Sequence, residues 1–263
     1  LRTGRATVVA KDGRLLGNLA HRLVETLFVN DDAPSWSQAQ LEAWLEPELA
    51  RLLEQEGMPL LAPGNSAALF QFKNTMRHGL WVLLQHMAHA GVVRVEAERP
   101  LAGMLGALRL NGATDLLLHL ADGRTAALDL KWTGAKRYRQ ALSDGTYLQL
   151  ALYGEMIRQQ LGALPAAVGY FTFREALLLT ATPDVFGPQA RVISAKNGIN
   201  ASELVMQARA TWAWRVRQWQ EGRVDVIEKG LDPEPEPSPE DCLPLGETAP
   251  WHGDYTALFG SRE

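Results

Sequence analysis

Residues 126–134 read AALDLKWTG, and the Asp129-Leu130-Lys131 triplet inside this apolar run constrains the chain more than any other stretch. Successive side chains of a strand point to opposite faces. Leu128 and Leu130 therefore share one face, and Asp129 and Lys131 share the other. Burying either charge alone is costly unless it is paired or bound to a metal. The triplet is thus a local ion pair in a sheet core or half of a metal-dependent site, and either role needs a sheet built around it.

The neighbouring sequence supplies that sheet. Residues 92–132 carry short β-type runs, VVRVEAER, GALRLNG, ATDLLLHL and RTAALDLKW, with a tight-turn signal at Ala121-Asp122-Gly123. If those three residues form the loop, Leu120 pairs with Arg124 and Asp115 lies opposite Asp129. Gly123 occupies the left-handed place that such a loop favours. A two-residue loop, Asp122-Gly123, would slip the register by one and send Asp115 to the other face. Directly opposed residues lie roughly 4.5–5.5 Å apart at Cβ. Two carboxylates that close repel unless a proton or cation lies between them. Mg²⁺, which takes a few carboxylates and keeps waters, suits such a site. Lys131 on the same face would orient a water nucleophile or offset transition-state charge.

Helical periodicity marks 17–28, 36–56, 66–90, 145–161 and 201–222, and AAVGYFTF at 166–173 reads as a further strand. Residues 30–35 read as a loop, and 57–65 divide the second helical run from the third. The expected fold is α/β: one domain over 1–231, with a small mixed central sheet flanked by helices and a helical insert at about 36–90. The Pro-rich acidic stretch 232–250 reads as a linker, and 251–263 as a C-terminal tail packing on the domain.

Composition removes several alternatives. No apolar run approaches the roughly 20 residues of a membrane span, no secretory leader opens the chain, and a cytoplasmic protein is expected. Cys242 is the only cysteine, which excludes an internal disulfide or a thiolate cluster. No G-x-x-x-x-G-K-[ST] occurs, so these residues carry no P-loop motor. Opening on Leu1 rather than methionine suggests a piece of a longer protein. Net charge is −4, but DPEPEPSPED (232–241) contributes five acids and no bases, which leaves the remainder at +1. A nearly neutral body can still carry a basic channel, because the steering field is regional.

Four motifs follow one another: Gly17…His21 on a helix, Gly112…Asp115 on a strand, Asp129-Leu130-Lys131 with Thr133-Gly134, and Gln149…Tyr153 on a helix. This order resembles the RecB/AddB-type nuclease branch of the PD-(D/E)xK superfamily, over roughly residues 15–28 and 96–175. The resemblance implies a restriction-endonuclease-like core and Mg²⁺-dependent hydrolysis of DNA, with Mn²⁺ as a substitute. It implies His21, Asp115, Asp129 and the Leu130 carbonyl as metal ligands. Asp115, Asp129 and Lys131 would be catalytic, with Gln149 and Tyr153, four apart on one helix face, set over the site. Glu98 matches a glutamate found upstream in that family. An exonuclease of recombination or repair is implied, with a helicase module in the same or another chain. AddB and the CRISPR-associated adaptation nucleases end in a cysteine cluster. PWHGDYTALFG (250–260) has a similar frame with Pro250, Gly253 and Phe259 at the cysteine places, so no iron–sulfur cluster is expected.

Lys136, Arg137, Tyr138 and Arg139 mix bases with an aromatic and are the candidate DNA contacts, with a solvated loop as the plainer reading. Trp212, Val216 and Trp219 form a stripe expected to be core packing. His86 and His89 are read as packing and surface residues. Two other functions stay open: a catalytically inactive DNA-end-binding or scaffold module, and a metal-dependent hydrolase acting on something other than DNA.

Overall fold

A computed structural model describes residues 13–224 and 237–244. Helix α1 (Gly13–Leu27) is followed by a 3₁₀ turn at Ala33–Ser35 and three helices, α2 (Gln38–Gln55), α3 (Met58–Leu61) and α4 (Ser66–Ala90). Then come β1 (Val92–Leu105), β2 (Leu108–Leu120), β3 (Thr125–Lys131), α5 (Lys136–Ser143), α6 (Leu148–Leu161), β4 (Ala167–Thr172), β5 (Leu177–Thr180), β6 (Arg191–Val192) and α7 (Ala201–Gln220). The six strands form one mixed sheet in sequence order. β3 and β4 are parallel, joined through α5 and α6, as are β5 and β6; the other neighbours are antiparallel. The α/β fold with a small mixed sheet is therefore as expected. Among the described residues no helix is long and apolar enough to cross a membrane.

Side-chain alternation along β2 and β3 splits the core in two. Leu116, Leu118, Leu128 and Leu130 join α1, α2 and α4 in one buried cluster. Leu117 and Ala127 join α6 and α7 in the other. β3 is covered on both faces and reads apolar almost throughout, as an inner strand with a parallel neighbour should. Leu41, Leu45 and Leu49 of α2 and Phe72, Met76 and Leu80 of α4 belong to the same cluster as the sheet leucines, so the expected insert shares the sheet's core. The ring of Phe72 lies 5.3 Å from that of Trp132, just past the Asp129–Lys131 triplet.

Several boundaries differ from the sequence reading. β1 continues past the expected run at 92–99 to Leu105, β2 joins two expected runs into one strand, and together they form a long hairpin through Pro100. Proline is accepted there because β1 is the edge of the sheet. KRYRQ lies in α5 rather than a loop, and β5 and β6 were not anticipated. The α7 stripe is not core: Trp219 is 49% exposed and meets half-buried Trp212 edge-on. The buried aromatic on that helix is Trp214. Part of the expected linker, 237–244, docks on α7, where the Leu243 N–H donates to Thr211 Oγ1 at 2.8 Å and Cys242 is buried. The expected tail at 251–263 lies outside the described residues.

Two glycines separate packing necessity from motif membership. A Cβ at Gly169 of β4 would lie 2.7 Å from the Leu179 carbonyl oxygen on the next strand, whereas one at Gly17 of α1 would only reach Trp132 Cβ at 3.6 Å. Gly169→Ala is expected to destabilise by about 2 kcal/mol or more. Gly17→Ala is expected to stabilise by about 0.5–1 kcal/mol through helix propensity. Denaturant unfolding of both variants measures the contrast; equal effects would contradict it.

Candidate metal-dependent active site

The expected three-residue hairpin loop is present. The Leu120 N–H donates to the Arg124 carbonyl at 2.9 Å, and Gly123 sits at φ 85°. His119 pairs with Thr125 and Leu116 with Leu128, and the ladder stops there, one step short of Asp115 and Asp129. The Lys131 carbonyl accepts from the Phe173 N–H on the β4 side, so the backbone groups of Leu130 point the other way, toward β2. With β2 no longer pairing, side chains take them. The Leu130 N–H donates to Asp115 Oδ2 at 2.5 Å, and His21 Nε2 lies 3.2 Å from the Leu130 carbonyl oxygen. The backbone of one residue thus meets a carboxylate from β2 and an imidazole from α1, the latter 109 residues away in sequence.

His21 Nδ1 faces two more acids, Glu98 Oε1 at 3.4 Å and Asp115 Oδ1 at 3.7 Å. Atoms of His21, Glu98 and Asp115 that could ligate a metal ion all lie within 4.8 Å of one another. Glu98 belongs to β1 but has φ 48°, and of the described non-glycine residues at positive φ it alone lies inside a strand. Such a conformation costs on the order of 1–3 kcal/mol and persists where the surroundings impose it. The β1–β2 turn is two residues long, Leu105 pairing with Leu108, and counting back from it puts Glu98 opposite Asp115. That count was available in MLGALRL, but reading β1 as ending near 99 concealed it.

Asp129 and Lys131 answer the question their spacing poses. Their side chains share a face and pair directly, Nζ to Oδ2 at 2.5 Å, with the Asp129 residue 1% exposed. Oδ1 accepts from Gln149 Nε2 at 3.0 Å, and the same nitrogen donates to the Tyr153 hydroxyl at 2.9 Å. Oδ2, although buried, has no hydrogen bond of good geometry among the described residues; its one close partner is the ammonium. Asp129 therefore keeps a buried oxygen only partly satisfied, at the point where a cation would complete it.

Burial pushes the Asp115 carboxyl up to about 6, and the neighbouring Asp129 charge adds to the rise. Burial also raises Asp129, against the attraction of Lys131. Burial works against the Lys131 ammonium, but the Asp129 carboxylate outweighs it and raises the lysine above its ordinary value. Lys131 is thus a fixed positive charge rather than a base. Acids held toward neutrality chiefly by burial, beside an imidazole and a peptide carbonyl, form a hard-donor set that a divalent cation fits.

The structure brings His21, Asp115, Asp129, Leu130, Lys131, Gln149 and Tyr153 together. Lys136, Arg137 and Arg139 are exposed on α5, just after β3. Tyr138 is half-buried, its hydroxyl 3.2 Å from Thr133 Oγ1, its ring 4.8 Å from Tyr170 and 5.8 Å from Lys131 Nζ. His86 is buried with Nδ1 3.0 Å from the Phe186 carbonyl oxygen, consistent with packing.

The family model of the PD-(D/E)XK nuclease superfamily matches residues 3–243. The chain belongs to that superfamily. Its members are metal-dependent nucleases, and His21, Glu98 and Asp115 form a carboxylate and histidine cluster that could hold a metal ion. No curated protein matches the chain.

The raised Asp115 carboxyl sets a direction for stability. Between its ordinary 3.8 and about 6 the folded metal-free protein holds a proton that the unfolded chain has lost. Stability contributed by this group therefore falls as pH rises through that window. Asp115→Asn is expected to raise the melting temperature of the metal-free protein at pH 8, by the few degrees that about 1–3 kcal/mol supplies. The advantage should vanish near pH 4. Calorimetric scans at the two pH values check it, and a gain equal at both would contradict the assignment.

Proposed function

We propose that this chain is a Mg²⁺-dependent deoxyribonuclease of the RecB/AddB type that hydrolyses phosphodiester bonds exonucleolytically, in recombination or repair, alongside a helicase module in the same or another chain. The observation that carries this reading is the Leu130 backbone: its N–H holds Asp115 and its carbonyl lies against His21, beside the Asp129–Lys131 pair.

In this reading His21, Asp115, Asp129 and the Leu130 carbonyl hold Mg²⁺, and Mn²⁺ substitutes. A bound divalent cation supplies a polarised phosphate oxygen and a water of lowered pKa. Lys131, charged and adjacent to Asp129, hydrogen-bonds the attacking water and offsets the charge that develops on the phosphoryl oxygens. Gln149 fixes the rotamer of Asp129, and Tyr153 fixes Gln149, so the carboxylate needs no reorganisation when substrate arrives. The cations of α5 sit beyond the C-terminal end of β3, where they can follow the DNA backbone into the site. The filled motif positions favour catalysis over an inactive scaffold.

Purified protein with Mg²⁺ or Mn²⁺ is expected to degrade linear DNA and to spare covalently closed circles. Asp129→Ala and Lys131→Ala should each lower the rate by about 100-fold or more. No cleavage, or variants as active as the parent, would reject the reading. Arg137→Ala and Arg139→Ala should weaken DNA binding regardless of sequence and each reduce the salt-dependence slope by about 1. Fluorescence anisotropy across a salt series measures this.

A further inference from the structure

Glu98 is the acid of this cluster that the proposed ligand set leaves without a task. Three observations define what it does. Its carboxylate is the oxygen nearest His21 Nδ1, at 3.4 Å, with Asp115 Oδ1 next at 3.7 Å. The other Asp115 oxygen is already engaged by the Leu130 N–H. On the opposite side of the ring, Nε2 meets a single neutral acceptor, the Leu130 carbonyl oxygen at 3.2 Å. A neutral imidazole carries one proton, and the nitrogen without it presents a lone pair. A lone pair on Nδ1 would face two carboxylates; a proton there is attracted by both. The backbone of Glu98, left-handed in the middle of strand β1, is what an imposed placement of its side chain looks like.

We propose that Glu98 is a positioning residue that keeps the proton of neutral His21 on Nδ1 and thereby frees Nε2 to ligate metal together with the Leu130 carbonyl. The inference rests on the metal-site reading above and adds a residue to it. Nε2 and the carbonyl oxygen then present two lone pairs toward one point, an arrangement that repels in the metal-free protein and that a cation resolves. A carboxylate behind a ligating histidine fixes ring orientation and tautomer and raises the basicity of the ligating nitrogen.

The test separates the tautomer from the metal. Metal-free protein labelled with ¹⁵N-histidine is examined by NMR at pH 8, with the His21 signals among the six histidines identified from His21→Gln. The parent is expected to show the Nδ1–H form. Glu98→Ala should populate the Nε2–H form, which donates to the Leu130 carbonyl, and should weaken Mn²⁺ binding in calorimetry by about 10–100-fold. Glu98→Gln, whose amide oxygen still accepts from Nδ1–H, should restore the tautomer and most of the affinity. An Nε2–H parent, or a tautomer unmoved by Glu98→Ala, would overturn the proposal. So would a Glu98→Gln variant that keeps the tautomer yet binds Mn²⁺ as poorly as Glu98→Ala, because Glu98 would then be a direct ligand. A parent that binds no Mn²⁺ would overturn the metal-site reading itself, and the tautomer measurement would stand apart from that result.

Discussion

The backbone N–H and C=O of Leu130 organise this protein. A strand inside a sheet normally gives its N–H and C=O to neighbouring backbone, and buried backbone groups seldom go unpaired. At Leu130 the neighbour on one side stops pairing, a carboxylate takes the vacated N–H, and an imidazole closes on the vacated carbonyl. An ordinary requirement of backbone satisfaction thus places Asp115, and the carbonyl left over faces His21. It also joins the two halves of the molecule, because His21 comes from a helix on one face of the sheet while Asp129 looks toward α6 on the other.

The electrostatics follow from that placement. Asp115 and Asp129 share a buried corner, and each is pushed toward its neutral form. One ammonium, Lys131, is built into the same strand two residues from Asp129 and pairs with it directly. That charge offsets part of the repulsion and leaves the remainder for a cation. By linkage, the raised carboxyls make the metal-free fold less stable as pH rises through the window in which they ionise. Glu98 extends the pattern: a strained backbone position is retained beside the histidine where it serves the site.

Much of this was legible in the linear chain because the relevant rules are local. Gly123 ends a three-residue turn, so the β2–β3 register could be counted from it, and the count matches the pairing of Leu116 with Leu128. The i, i+2 spacing of Asp129 and Lys131 placed them on one face, and the i, i+4 spacing of Gln149 and Tyr153 let them share a hydrogen bond. Helical periodicity located α1, α2, α4, α6 and α7 to within a few residues. The short strands β5 and β6 carry too few residues for periodicity to register, and the mixed basic sequence of α5 has too little apolar patterning to mark a helix.

Local sequence specified the longer elements, the register of the central hairpin and the order of the chemically active residues, since each depends on a turn, a spacing or a period within a short stretch. Tertiary structure decided the rest. Only the packing of α1 against the sheet brings His21 to the Leu130 carbonyl, only the end of the β2–β3 ladder turns Asp115 onto the Leu130 N–H, and only the joint register of two hairpins sets Glu98 behind the imidazole. These are contacts between residues far apart along the chain, and their geometry is fixed by how two hydrophobic layers close on one sheet.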